Sequence, residues 1–301
     1  MGLAQTMSAP EIFSVLNPYK LRIEKLLAEN IHSLGPKTVL RDACEYALLN
    51  GGKRFRPALV LMIADALGNP VDVSQAALAI EFFHTASLVA DDLPCMDDDD
   101  ERRDRPSLHK AYGEGVALLV SYALIAEGYG CLAKNAHDVR RAPVNFAADA
   151  DRICVLALEN ATYNTGLAGA TGGQFLDVFP PDLTLATLRE VLHKKTVSLF
   201  EISFVFGWLF SGGKIEQLDR LKKAASHFGM AFQIADDLGD MDQDIKNERK
   251  VNVANVCGKE VAKEMFFDEV SSFQSQLRAL GIDSKPLVNL AEILLRQVAA
   301  V

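Results

Sequence analysis

"EFFHTASLVADDLPCMDDDD", Glu81 to Asp100, starts as an apolar helix and ends as a run of carboxylates. Residues three, four and seven apart lie on one side of a helix, so Glu81, His84 and Asp91 share a face. Asp97, six residues past Asp91, would leave that face on an unbroken helix. Pro94 cannot donate to the carbonyl of Ala90, and its ring crowds that turn. A local bulge at Pro94 is therefore expected to bring Asp97 back beside Asp91. From Asp91 to Arg105 eight of fifteen residues are acidic, and the other charges are Arg102, Arg103 and Arg105. Such a run is either a solvated loop or a site where carboxylates hold a divalent cation and guanidinium groups grip a phosphate.

The surrounding chain reads as helix. Segments such as "ALVLMIADAL", "ALLVSYALIAEGYGCLAKNA" and "LATLREVLHKKTVSLFEISFVFGWLF" carry Ala and Leu at helical spacing. Breaks fall at Gly51-Gly52, Gly68 to Pro70, Pro143, Pro180-Pro181, Gly212-Gly213, Gly258 and Pro286. Asn50-Gly51 reads as a helix stop, because its flanks do not alternate. No segment reads as a confident strand. The 301 residues, 49% of them hydrophobic, can bury a large core, and the expected fold is all-α: one helical bundle over residues 1–301, with no second domain. A net charge of −9 argues against a general nucleic-acid surface. Five scattered cysteines without a CxxC read as free thiols of a reducing, cytoplasmic compartment. The longest uninterrupted apolar stretches, 116–126 and 202–210, are too short to span a bilayer, so no stable membrane insertion is expected. The N-terminus has no basic start and apolar run of the kind a secretory signal needs.

A second acidic group, "FQIADDLGD", places Asp236 and Asp240 four apart, with Gln233 one turn earlier. The residues before it are apolar, so this face is expected to look into a cavity. Carboxylates pointing inward without partners are costly, and cations shared between the two groups would remove that cost. "GGKRFRP" adds Lys53, Arg54 and Arg56, and "HKKTVSLF" adds Lys194, Lys195 and Thr196. With Arg102 and Arg103 these could hold two diphosphates. There is no Walker A pattern and no GxGxxG, so a nucleotide is not the obvious phosphate carrier.

Taken in order, "GGKRFRP", "HTASLVADDLPCMDDDDERR", "GGQFLDV", "KKTVSLF" and "FQIADDLGD" resemble the trans-isoprenyl diphosphate synthases, the polyprenyl synthetase family. The resemblance runs from about Leu48 to about Gly258. It implies an all-α bundle with a central active-site cavity, a homodimer, and Mg²⁺-dependent joining of isopentenyl diphosphate to an allylic diphosphate. It further implies that Asp91, Asp92, Asp97, Asp236, Asp237 and Asp240 bind metal. Lys53, Arg56, His84 and Arg103 would hold isopentenyl diphosphate. Arg102 and Lys195 would hold the allylic diphosphate, with the dipoles of Thr196 and Gln233 near the developing cation. Gln174 and Asp177 would line the cavity.

Several positions depart from the family's pattern. Ser121-Tyr122 replaces a usual Gly-Asp, Val197 replaces a Gly after Lys-Thr, and Gly239 replaces a larger apolar residue. The loop after Asp240 lacks the usual Gly-Lys, which leaves Lys246 or Lys250 to supply that lysine. In the family a bulky aromatic five residues before the first Asp stops growth at the C15 product. Here that residue is Ala86, followed by Ser87, and geranylgeranyl diphosphate (C20) is the expected product. Farnesyl diphosphate (C15) is the alternative, and a non-catalytic subunit of a prenyl synthase is the non-enzyme reading. "DDLGD" argues against a class I terpene cyclase, whose second metal motif contains Asn and Ser or Thr with Glu.

Overall fold

The computed structural model describes residues 15–246 and 252–300. Among them the chain is helical almost throughout. Helix α1 (Asn17–Asn30), α2 (Val39–Leu48), α3 (Phe55–Leu67) and α4 (Ser74–Asp91) lead to the first acidic run. A short antiparallel pair follows, β1 (Glu101–Arg102) with β2 (Arg105–Pro106). Then come α5 (Leu108–Tyr112), α6 (Glu114–Arg141), α7 (Ala150–Thr165), α8 (Ala170–Val178) and α9 (Leu185–Leu192). A π turn, His193–Val197, joins α9 to α10 (Ser198–Phe210). The rest is α11 (Leu218–Lys246), α12 (Val253–Cys257), α13 (Lys259–Leu280) and α14 (Lys285–Ala299). The two-stranded pair is a small departure from the strand-free expectation.

Helices α3 and α10 are apolar on every side, and both are buried along most of their length. They pack on each other and hold the centre of the bundle. Gly207 makes this approach close: a Cβ there would stand 2.7 Å from the carbonyl of Val60. Aromatic rings fill the space beside them. Phe200 meets Phe228 at 5.2 Å and Phe232 at 5.1 Å between ring centres, and Phe228 meets Phe273 at 5.1 Å. Edge and tilted contacts at these distances add to simple burial. Around this centre α4 lies along α6, and α11 lies along α13. The acidic C-terminus of α4 and the acidic stretch of α11 emerge from this frame, which sets the site.

All five cysteines are free, as the sequence implies. The long expected helix "LATLREVLHKKTVSLFEISFVFGWLF" forms, but with the extra residue of a π turn at its middle. Such turns are rare in helices and frequently lie at functional sites.

Candidate active site

Helix α4 stops at Asp91, and the chain folds back on itself. The amide of Asp97 donates to the carbonyl of Asp91 at 2.9 Å, and that of Met96 donates to Leu93 at 2.8 Å. Asp97 thus returns beside Asp91, but through a turn after the helix rather than a bulge within it. Pro94 sits in that turn, where it has no helical carbonyl to abandon. Asp92 points the other way. It is buried, and Arg102 Nε lies 2.7 Å from both of its oxygens. Arg102 also reaches Asp99 at 3.5 Å. The structure therefore pairs two residues that the resemblance assigns to metal and to the allylic diphosphate.

Asp98, Asp100 and His109 bring ligand atoms within 4.8 Å of one another. Lys110 already sits 2.6 Å from Asp100 and holds its carboxyl below the usual range. This cluster borders the acidic turn but contains neither Asp91 nor Asp97.

Arg103 and Asp104 form the two-residue loop between β1 and β2, with φ of 57° and 61°. A loop with both central residues at positive φ matches the twist of a tight hairpin, and it is costly for side chains other than Gly, Asn or Asp. The hairpin carries Arg103 back to the start of α3, where it donates to the carbonyl of Gly51. Asn50 Nδ2 bonds the carbonyl of Arg102 at 2.9 Å and fixes the same junction.

The basic motif splits into inward and outward members. Lys53 is exposed. Arg54 is 3% exposed, adopts φ 52° and turns into the bundle. There it donates to Glu24 Oε1 at 2.7 Å, to the carbonyl of Leu48 at 2.5 Å and to Glu81. Arg56 lies over the Phe200 ring at 4.6 Å and 3.3 Å from His84 Nε2. Burial, then the charges of Arg56, Arg103 and Arg102, hold the His84 pKa well below its ordinary value, so the ring is neutral near pH 7. Sequence reasoning passed over Arg54 as a structural ion. The signal was present in Glu81, one turn before His84 on the same face.

On the opposite side Lys195, within the π turn, pairs with Asp177 of α8. Burial opposes its charge, but Asp177, Asp91 and Asp97 outweigh that and raise its pKa. Gly173 lets α8 approach the π turn, since a Cβ would stand 2.3 Å from the Lys195 amide. Gln174 Nε2 donates to Asp97 Oδ1 at 3.3 Å. Thr196 Oγ1 donates to Gln233 Oε1 at 3.0 Å, and Gln233 Nε2 donates to Asp237 Oδ1 at 2.8 Å. Asp236 lies near Lys53, Asp240 and Arg56. Lys246 ends α11 and is exposed; Lys250 lies outside the described residues.

The carboxylates are electrostatically frustrated. Burial pushes Asp91 up to about 7, against the pull of Lys195, and it also raises Asp97 and Asp236. Among the described residues no side-chain hydrogen bond or ion pair engages Asp91, Asp236 or Asp240, in contrast to Asp92 and Asp237. Oxygen donors of this kind suit a hard divalent cation, which would hold them ionised.

Ala86 is 1% exposed, and its carbonyl accepts from Ser121 Oγ of α6 at 2.9 Å. Ser87 is half-buried and caps the carbonyl of His84 at 2.9 Å. Val197 is fully buried and packs on Gly229, where a Cβ would stand 3.1 Å from Val197 Cγ2. Glycine on α11 thus accommodates valine on the π turn.

An all-α frame that gathers cations and unpartnered carboxylates at one end defines a diphosphate-handling enzyme, here a trans-prenyltransferase. Residues 37–255 match the polyprenyl synthetase family model, and the chain belongs to that family. It is 33% identical over 271 residues to the heterodimeric geranylgeranyl pyrophosphate synthase large subunit 1 of Arabidopsis thaliana, covering 84% of this chain and 70% of that one. It is 32% identical over 285 residues to the farnesyl diphosphate synthase of Bacillus subtilis, covering 94% and 90%. Among solved structures, the geranyltransferase of Legionella pneumophila superposes with a TM-score of 0.79 at 30% identity, covering 95% of this chain and 97% of that one. Isoprenoid diphosphate substrates and a divalent metal follow from the family.

Proposed function

We propose that this chain is a Mg²⁺-dependent synthase that extends allylic diphosphates with isopentenyl diphosphate to geranylgeranyl diphosphate (C20). In this reading Asp91 and Asp97 from the end of α4, with Asp236 and Asp240 from α11, hold the metal. Bound there, the ion would neutralise the charge growing on the departing diphosphate. Lys195 and Arg102 would bind that diphosphate. Lys53, Arg56, His84 and Arg103 would hold isopentenyl diphosphate, and neutral His84 would contribute a hydrogen bond rather than a charge. Gln174 and Asp177 would keep Asp97 and Lys195 in place at the cavity wall. The Thr196 hydroxyl, whose O–H donates a hydrogen bond to Gln233 Oε1, presents lone pairs that suit a neighbouring allylic cation. The whole chain, residues 1–301, would act as one catalytic domain.

The observation that carries the C20 product is the small side chain of Ala86, one turn below Asp91 on the helix whose end binds the diphosphate. A prenyl tail anchored at Asp91 runs back along α4, and about 1.5 Å of rise per residue puts Ala86 roughly 7–8 Å down the axis. A methyl group leaves room there for further growth. Farnesyl diphosphate is the competing product, because a C15 synthase is as similar in sequence as the C20 ones. Incubation with isopentenyl diphosphate and each allylic primer, followed by chromatography of the dephosphorylated products, decides between them. C20 as the main product supports this reading, and accumulation of C15 overturns it.

We infer that the chain works as a cytoplasmic homodimer. By length and composition alone, an 18-residue window of helix α6 is apolar enough to cross a membrane, with a mean hydropathy of 1.7, and 39% of that window is buried in the bundle. Its exposed Leu118, Leu119, Tyr122 and Ile125 form one stripe at helical spacing, and Val155 and Leu158 of α7 add to the apolar surface. A stripe of this kind suits a second copy of the chain better than water. Light scattering should give twice the chain mass, and Tyr122→Glu should shift it to the monomer. The relative from Arabidopsis thaliana is by name a large subunit of a heterodimer, which keeps open a subunit that needs a partner. Turnover by the purified chain alone excludes that second reading.

A further inference from the structure

Glu81, one turn before His84 on α4, is a carboxylate to which the proposed reaction gives no role, yet it is 1% exposed. Its Oε1 accepts from Arg54, which is itself buried. Its Oε2 is buried with no hydrogen-bond partner among the described residues, and so is Nε of the neighbouring Arg56. Burial pushes the Arg56 pKa down to about 10, and Glu81 is the first of the carboxylates that oppose this. Burial and the charge of Arg54 lower the Arg103 pKa, and there too Glu81 is the first to oppose. One buried anion therefore acts on three guanidinium groups: Arg54 just before α3, Arg56 within it and Arg103 on the β1–β2 loop.

Three guanidinium groups gathered at one end of a bundle repel one another, and burial strengthens the repulsion. A bound diphosphate relieves it only while it is bound. Arg54 is the fixed member of the three. Its fork also donates to Glu24 Oε1 at 2.7 Å and to the carbonyl of Leu48 at 2.5 Å, so it is not free to turn to a ligand. Its bond to Glu81 holds the carboxylate in place and leaves Oε2 to attract the other two arginines. A buried ion pair is no better for stability than well-packed apolar groups of the same volume, and an unpartnered buried acceptor is costly. Stability alone therefore gives no reason for Glu81.

We propose that Glu81, locked by Arg54, is a positioning residue of the isopentenyl diphosphate subsite: it is the internal counter-anion that holds Arg56 and Arg103 together when no diphosphate is bound. The inference rests on the reading that Arg56 and Arg103 bind isopentenyl diphosphate. The cations of the allylic side have carboxylates of their own, Asp177 for Lys195 and Asp92 for Arg102. Loss of Glu81 should therefore be felt by one substrate and not by the other.

The test is steady-state kinetics with both substrates varied, beside a melting curve. Glu81→Gln keeps the shape of the side chain and an oxygen for Arg54 but removes the charge. KM for isopentenyl diphosphate should rise about tenfold or more, while KM for the allylic primer and kcat at saturation stay within about twofold of the wild type. General loosening of the fold would move both KM values and kcat together, and that result overturns the inference. A second variant, Arg54→Met with Glu81→Leu, replaces the buried pair by apolar groups and so separates positioning from stability. Its melting temperature should lie near that of the wild type while KM for isopentenyl diphosphate stays raised about tenfold. A double variant with wild-type melting temperature and wild-type KM overturns the inference, and it carries the test alone if Glu81→Gln does not fold. Arg103→Ala is the control. If it raises KM for isopentenyl diphosphate and Glu81→Gln does not, the role of Glu81 falls alone. If both leave that KM unchanged, the reading of the subsite falls, and this inference with it.

Discussion

Arg103 lays its guanidinium directly on Gly52: a Cβ at Gly52 would stand 2.5 Å from Arg103 Cζ. Gly52 has φ +116°, which favours glycine independently of that contact. Gly52→Ala should therefore cost about 1 kcal/mol or more in stability and push Arg103 out of place. Kinetics should show a several-fold higher KM for isopentenyl diphosphate with a much smaller change for the allylic primer. A rise confined to the primer would reverse the assignment of Arg103.

The raised carboxylates give the metal-free protein a defined pH dependence. Asp91 is pushed up to about 7 and Asp237 to about 6, both mainly by burial, from an ordinary value of 3.8. Between pH 4 and 7 the folded chain thus binds more protons than the unfolded one, so stability falls as pH rises through that window. In EDTA the melting temperature should be lower at pH 8 than at pH 5.5, and Asp91→Asn should shrink the difference. An unchanged slope in that variant would show that Asp91 is not the group responsible.

Val197 stands where the family usually has Gly, and its partner across the interface is Gly229. Restoring the family residue alone should not help. Val197→Gly removes a fully buried side chain and places Gly in a helical turn, a loss of about 2–4 kcal/mol. Chemical denaturation measures this directly, and a change below about 1 kcal/mol would mean that the pocket on α11 collapses around the glycine.

Ala86→Phe should shorten the main product to C15 while the first condensation continues. The ring would meet the growing chain in a closely packed wall that yields little. Because Ala86 is 1% exposed against α6, the same ring could instead destabilise the α4–α6 contact. Product chromatography beside a melting curve separates the two. A stable variant with unchanged product length removes Ala86 from the cavity floor.

The helices and the order of the motifs were legible because periodicity and motif chemistry are local properties of the chain. The roles of neighbouring like residues were not. The motif spacing does not distinguish Asp92, bound by Arg102, from Asp91, or Asp237, bound by Gln233 and Val253, from Asp236; the difference comes from burial and from partners four, ten and sixteen residues away. Arg54 read as one more phosphate cation, since its inward turn depends on a positive φ that a non-glycine residue does not announce. The return of Asp97 to Asp91 was foreseen, but the helix end that produces it was read as a bulge. The π turn at Lys195 and Thr196 adds one residue to a pattern that otherwise reads as a continuous helix.

The central claim is that the carboxylates of α4 and of α11 serve one metal–diphosphate cluster. Its most direct test is the Mg²⁺-dependent turnover of Asp91→Ala and Asp236→Ala, each beside its melting temperature. Charge neutralisation in the transition state is lost in both, so turnover should fall by about a hundredfold or more. The metal-free fold loses only a charge it holds at a cost, so the melting temperature should stay level or rise. Either variant retaining near-normal Mg²⁺-dependent turnover would contradict the claim.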